Sequence, residues 1–166
     1  KTSSILATAL LVIITLCAQT TSNTLIPVAS KLINLGFHVI TNGTDNHIVL
    51  VNLKNKGITG SKFEKIAEMC HVSVNKNTIA TDKSALNPSG IRLGTPAMTT
   101  RGFTQNDFNF VANIINDICN VITNIQVKSP SNKLVDFMKT SQLFINDINF
   151  IKYKVQTYCS KFPLPQ

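Results

Sequence analysis

The feature that most constrains the fold is an apolar repeat between Thr104 and Pro130. Large apolar residues recur there every three or four positions, the spacing that places them on one face of an α-helix. Thr104-x-x-Asp107 is a typical helix start, and Pro130 breaks the repeat. The pattern predicts one long helix that packs through Phe108, Val111, Ala112, Ile115, Ile118, Cys119, Ile122 and Ile125.

Three further helices have weaker signals. The segment from Pro27 to Leu35 is followed by Gly36, a residue suited to a helix C-terminal cap. Ser61-x-x-Glu64 predicts a capping box at the start of a second helix. A last helix is predicted to end before Pro163, and its apolar residues are Phe144, Ile148, Ile151, Val155, Tyr158 and Phe162.

Short apolar runs predict strands, and one long polar segment predicts a loop. The strands are expected at Phe37–Thr41, Ile48–Asn52, Val72–Val74 and Ile91–Leu93. The segment from Asn75 to Gly90 is rich in Asn, Thr, Ser and Pro, and is too long for an ordinary connection. We therefore interpret it as a functional loop.

The composition is that of one folded domain, with 166 residues, 43% of them hydrophobic and 14% charged. The net charge of +8 favours anionic partners, but the lysines are scattered and no nucleic-acid-binding motif accompanies them. The four cysteines, at 17, 70, 119 and 159, lack the close pairs of a zinc site, and their even number would permit two disulfides in a secreted chain. Cys70, Cys119 and Cys159 have apolar neighbours on predicted helix faces, so we predict structural thiols.

The first thirty residues have two open interpretations. Residue 1 is Lys rather than Met, so we expect a processed chain or a part of a longer protein. The apolar stretch Ile5–Ala18 has the outline of a secretory signal over residues 1–20 and is short for a membrane span, whereas a buried helix has the same composition.

The sequence contains no motif that defines a complete active site. Nucleophile elbows, phosphate loops and paired metal-binding histidines are absent. The stretch GIRLGTPAMTTRG at 90–102 places Arg92 on a short apolar strand between glycines, where its guanidinium could bind a carboxylate. The alternative is an ordinary salt-bridged arginine.

Five short sequence motifs, which occur in the same order and at the same spacing as in the family, make this chain resemble the serine hydroxymethyltransferases. They are TNGTDNH at 41–47, NKNT at 75–78, SALNPSG at 84–90, the 90–102 stretch, and FPLP at 162–165. The resemblance covers 31–166 and is to the smaller, C-terminal domain, whereas 1–30 does not match and is read as an apolar leader or a divergent helix. It implies an α+β fold, with a small, mainly antiparallel sheet covered on one face by helices, as in fold-type I pyridoxal-phosphate enzymes.

The resemblance also implies roles for individual residues. Arg92 matches the arginine that binds the substrate carboxylate, and Asn77 matches a side chain that hydrogen-bonds the pterin of tetrahydrofolate. The loop that lines the folate site is matched by Ser84, Ala85 and Leu86. Asn42 replaces a glycine that most members have, which puts the local turn in doubt rather than the chemistry.

Catalytic residues of the family's large domain have no counterpart here. The family's Schiff-base lysine follows a Thr-Thr-Thr-His motif, which does not occur in this sequence. Without that lysine, pyridoxal phosphate cannot be held covalently. The chain by itself is therefore expected to be inactive, with no catalytic residue of its own and no metal site.

Three functional hypotheses follow. The first is the C-terminal part of an enzyme that interconverts serine plus tetrahydrofolate with glycine plus 5,10-methylenetetrahydrofolate, a homodimer or homotetramer in the cytoplasm or mitochondrion with no membrane partner. The second is a non-catalytic binding module that retains affinity for folate or RNA. The third is a secreted or membrane-tethered protein, against which the unpaired cysteines argue.

Overall fold

The computed structural model describes Leu10–Leu11, residues 22–40 and residues 48–162. The turn predicted at 41–47, which contains Asn42, and residues 163–166 lie outside the described residues. The same is true of most of the apolar stretch Ile5–Ala18 and of Cys17.

The described residues contain a four-stranded antiparallel sheet in the order β2, β3, β6, β5. Its central strands coincide with predicted runs. The ranges are β2 at His38–Val39, β3 at Ile48–Asn52, β5 at Asn75–Asn77 and β6 at Gly90–Gly94.

One predicted strand of this sheet was assigned to the wrong residues. The run at Val72–Val74 contributes β4 at Val72–Ser73, which pairs in parallel with β1 at Leu10–Leu11 in a separate two-stranded sheet. The edge of the main sheet is instead β5, in a segment predicted to be loop. Its Asn and Lys residues have low strand propensity, and pairing with β6 overrides that preference.

Helices cover one face of the sheet, as predicted. Alternate residues of the central strands, such as Val49 and Leu93, are fully buried in the core, whereas Leu50 and Arg92 on the opposite face are half-buried. The ranges are α1 at Ser22–Asn34, α2 at Gly60–Met69, α3 at Pro96–Thr100, α4 at Gln105–Lys128, α5 at Leu134–Ser141 and α6 at Ile145–Cys159. None of the helices in the described ranges is both long and apolar enough to cross a bilayer.

The predicted long helix is α4, which begins after a capping box formed by Thr104 and Asp107. One other helix prediction needs correction. The cap of α2 is Thr59, whose side chain accepts a hydrogen bond from the Lys62 N–H, rather than Ser61. No helix was predicted at α3 or α5, and α5 precedes a short 3-10 turn leading into α6.

The cysteines of the described residues are structural, as their apolar neighbours predict. Cys70, Cys119 and Cys159 are buried and unbridged. Burial raises the pKa of Cys70 and of Cys119 to about 12, so both remain protonated at neutral pH.

Candidate functional site

Arg92 lies at the centre of β6, on the face of the sheet that the helices leave uncovered. Its neighbours across the two adjacent strands are Leu50 of β3 and Asn75 of β5. The Arg92 Nε is buried and has no hydrogen-bond partner among the described residues. A buried guanidinium nitrogen without a partner costs free energy, and a carboxylate would remove that cost.

An ordinary ion pair does not account for this arginine in the described part of the chain. The ion pairs found there join lysines to Asp82, Glu68, Glu64 and Asp117, and none includes Arg92. The interpretation as a salt-bridged arginine therefore has no support from residues 22–40 and 48–162.

The second arginine of the same stretch has a different environment. Arg101 ends α3, and its Nη2 donates hydrogen bonds to the carbonyl oxygens of Cys159 and Phe162 at the end of α6. Its Nε is also buried without a partner in the described ranges, but the guanidinium as a whole is held by the chain's own backbone. This geometry gives Arg101 a structural role.

Asn77 is brought close to the Arg92 strand. It is the last residue of β5 and lies opposite Gly90, while Asn75 lies opposite Arg92. A Cβ on Gly90 would be 2.9 Å from the Asn77 carbonyl oxygen and 2.8 Å from Cγ2 of Ile79, so only glycine allows this close approach. The Asn77 side chain is half-buried, and its Nδ2 donates to the Thr78 carbonyl oxygen at 2.6 Å.

Residues 78–89, here called the 78–89 loop, connect β5 to β6. Ser84, Ala85 and Leu86 are exposed at its tip, and the Leu86 N–H donates to Ser84 Oγ at 3.2 Å. The Leu86 side chain has no cover, since the residue is 86% exposed. These three residues are therefore accessible to solvent. Asn77 lies on the edge strand of the sheet.

Sequence reasoning missed Asp82, which fixes the base of this loop. Its Oδ2 accepts hydrogen bonds from the N–H groups of Ile79 at 3.0 Å and Ser89 at 2.9 Å. Burial alone would raise the pKa of Asp82, but the hydrogen bonds from Ser89 and Ile79 and the contact with Lys54 outweigh it and hold the pKa well below its usual value. A single Asp in a polar segment has no periodic pattern, so nothing in the sequence distinguished it.

The histidines within the described residues form no metal site. His38 Nδ1 lies 3.0 Å from Nδ2 of Asn52, and His71 Nδ1 lies 3.4 Å from Nε2 of Gln156. Burial and the nearby Lys152 ammonium lower the pKa of His71. No cluster of three His, Cys, Asp or Glu side chains occurs in the parts of the chain that the structure describes.

Comparison with known proteins identifies the family. A family model described as serine hydroxymethyltransferase matches residues 15–115, a range that includes Arg92, Asn77 and the 78–89 loop. The match begins at residue 15, within the segment 1–30 that none of the five motifs covers. The chain belongs to the serine hydroxymethyltransferase family, and both the predicted family and the α+β fold are confirmed.

Individual relatives are similar over most of the chain. Serine hydroxymethyltransferase 3, chloroplastic, of Arabidopsis thaliana is 43% identical in an alignment of 141 positions that covers 82% of this chain and 27% of that protein. Serine hydroxymethyltransferase of Bombyx mori is 44% identical over 81% of this chain and 29% of its own length. The cytosolic enzyme of Oryctolagus cuniculus is 38% identical over 82% of this chain and 29% of its own. The chain thus spans between a quarter and a third of the length of these relatives.

Proposed function

We propose that this chain is the C-terminal part of a pyridoxal-phosphate-dependent serine hydroxymethyltransferase, which interconverts serine plus tetrahydrofolate with glycine plus 5,10-methylenetetrahydrofolate. The observation that carries the proposal is the buried Arg92 Nε, without a partner among the described residues, on the helix-free face of the sheet. It lies within the range that the family model matches.

Arg92 is assigned the substrate carboxylate. A guanidinium offers two parallel N–H donors, which match the two oxygens of a carboxylate. Because Arg92 lies on a central strand, its backbone is held on both sides, and the orientation of the bound amino acid is fixed accordingly. Serine and glycine carry the same carboxylate, so this contact serves both directions of the reaction.

The folate site is assigned to Asn77 and to the tip residues Ser84, Ala85 and Leu86. The Asn77 amide can donate to and accept from a pterin, and the exposed Leu86 side chain offers an apolar surface to a planar ring. All three tip residues are exposed and therefore accessible to a ligand.

Pyridoxal phosphate supplies an electron sink when it is bound to an enzyme of this class. Among the described residues, the Arg92 guanidinium fits a carboxylate, and no residue is assigned to the cofactor. We assign the cofactor mainly to the large domain, and we propose that the 166-residue chain alone is inactive.

The assembly and location follow from the family. We propose a homodimer or homotetramer for the full-length enzyme, with no membrane partner, located in the cytoplasm or mitochondrion. The names of the relatives place one in the cytosol and one in the chloroplast.

The test uses a complete enzyme in which residues 15–166, which include the whole of α1, replace the C-terminal part of a full-length relative. Arg92→Ala is expected to weaken serine binding by about 2–5 kcal/mol, and Arg92→Lys is expected to recover only part of the loss because lysine lacks the planar fork. Lys65→Met, which removes an exposed ion pair with Glu68, is the control. Equal changes in KM for serine in the Arg92 and Lys65 variants would contradict the assignment of Arg92.

A second candidate function is a binding module without catalysis. It is favoured by the net charge of +8, which attracts anionic ligands. Equilibrium dialysis of the isolated chain against a short RNA tests it: tight RNA binding supports the module, and no RNA binding contradicts it, whereas folate binding is compatible with both functions.

A further inference from the structure

The 78–89 loop consists of a fixed base and an exposed tip. Ile79 and Pro88 at its two ends are buried, whereas all residues from 83 to 87 are exposed. The base is also fastened to the rest of the domain by backbone hydrogen bonds. The Gly60 N–H donates to the Pro88 carbonyl oxygen at 2.8 Å, and the Leu53 N–H donates to that of Ser89 at 2.9 Å.

The Asp82 carboxylate closes this base. The side chain is 4% exposed, and its Oδ2 accepts from the N–H groups of Ile79 and Ser89, one at each end of the loop. Because one carboxylate oxygen binds both ends, the spacing between them is set by a single side chain.

Lys54 connects this carboxylate to the segment that follows β3. Its Nζ lies 3.1 Å from Asp82 Oδ1. The same Nζ donates to the carbonyl oxygen of Thr81 at 2.7 Å and to its Oγ1 at 2.9 Å. The loop is therefore tied to the sheet as well as to itself, immediately before its exposed tip begins.

The base of the loop is joined directly to β6, the strand that carries Arg92. Ser89 directly precedes Gly90, the first residue of β6. A Cβ on Gly60 would lie 2.5 Å from the carbonyl oxygen of Gly90, so the start of α2 packs directly on this point. Because β6 is held on both sides by β3 and β5, a change in the position of Ser89 mainly alters the direction in which the tip leaves the domain.

We propose that Asp82 is the positioning residue of the 78–89 loop: by binding both of its ends and the Lys54 ammonium, it holds the 83–87 tip in place for folate. This inference rests on the proposed folate role of the tip. Asp82 acts through the loop and has no contact with substrate assigned to it.

The exchange of backbone amides in the 166-residue chain tests the first half of this proposal. Asp82→Asn keeps the size of the side chain and removes its charge, and it is expected to speed exchange of the Ile79 and Ser89 amides, which donate to Asp82, at least tenfold, with those of β3 and β6 unchanged. Lys54→Met leaves the carboxylate in place and is expected to speed the same amides by a smaller factor, about threefold.

Glu64→Gln is the matched control. Glu64 Oε1 accepts from the Lys76 N–H at 3.1 Å, and its Oε2 lies 3.5 Å from Lys76 Nζ, so the same kinds of contact are lost outside the loop. This variant should leave the Ile79 and Ser89 amides unaffected. Wild-type protection of the loop in Asp82→Asn, or equally fast exchange throughout the domain in both Asp82→Asn and Lys54→Met, would overturn the proposal.

Kinetics in the complete enzyme test the second half. Asp82→Asn should raise the KM for tetrahydrofolate about tenfold, while kcat and the KM for serine stay within twofold of wild type. A purely structural role would change both KM values together, and that result would overturn the positioning role. An inactive wild-type chimera would contradict the proposed function instead, and amide exchange would still decide whether Asp82 orders the loop.

Discussion

Arg92 and Arg101 belong to one short stretch of sequence, and each has a buried Nε without a partner among the described residues. Their surroundings nevertheless differ. Arg101 binds two backbone carbonyls at the end of α6, whereas Arg92 lies on the uncovered face of the sheet with no ion pair in the described ranges. A guanidinium held by its own chain stabilises the fold, and one left without such contacts is available to a ligand.

The side chains around Arg101 pack against one another and form hydrogen bonds within the chain. The Phe110 and Tyr158 rings stack with their centroids 3.8 Å apart, and the Phe103 ring packs on Phe162 at 4.2 Å. The Tyr158 hydroxyl donates to Asp107 Oδ1 at 2.6 Å, which links α6 to the cap of α4. The Arg92 face has no comparable set of internal contacts among the described residues, which is why we place the ligand there.

The largest effect on stability is expected from Arg101. Arg101→Ala removes two charge-assisted hydrogen bonds to the end of α6 and should lower the free energy of unfolding by about 2–3 kcal/mol. Arg92→Ala should not lower it, because no internal hydrogen-bond partner is lost and the cost of the unpaired Nε is removed. Urea unfolding of the isolated chain measures both values, and a reversed order would remove the distinction between the two arginines.

A smaller effect is expected from the carboxylate at the Arg101 end. Partial burial raises the pKa of Asp107, but hydrogen bonds from Thr104 and Tyr158 outweigh it and hold the pKa below the usual 3.8. A lowered pKa in the folded state means that this stabilisation is present above about pH 5 and is lost as the pH falls below the ordinary value.

Asp107→Asn tests this contribution. The substitution should cost about 1 kcal/mol at pH 7, the usual scale for a lost helix cap, and should reduce the loss of stability between pH 5 and pH 3. Thermal unfolding of wild type and variant across that range is the measurement. Parallel pH profiles would show that Asp107 does not contribute in this way.

The smallest effect is a gain in stability. His71 follows α2 with φ of 61°, a left-handed conformation that favours glycine. His71→Gly should raise the free energy of unfolding by up to about 1 kcal/mol, less whatever the contact with Gln156 contributes. A loss of stability in calorimetry would mean that the contact with Gln156 outweighs the backbone strain.

The sequence predicted elements whose signals are local. The apolar repeat of α4 and the Thr104 and Asp107 cap were readable because helix periodicity and capping depend on near neighbours. The position of Arg92 on a strand between glycines was also predicted correctly.

What the sequence could not predict depends on distant partners. The strand at Asn75–Asn77 forms because it pairs with β6. Helix α2 begins after Thr59 rather than Ser61, and at this start the Gly60 N–H donates to the Pro88 carbonyl oxygen. The anchoring role of Asp82 likewise requires Lys54, which lies far away in sequence. The sequence predicts the segment 75–90 as a loop, but it contains β5 and a base that Asp82 fixes, both of which depend on residues outside the segment.

Amide hydrogen exchange of the complete enzyme, with and without glycine plus tetrahydrofolate, tests the central claim most directly. We predict that the ligands protect β6 and the tip of the 78–89 loop, and leave residues 101–108 and the end of α6 unchanged. Protection confined to the Arg101 end, or a loop tip that exchanges equally fast in both states, would contradict the assignment of the ligand-binding face to Arg92.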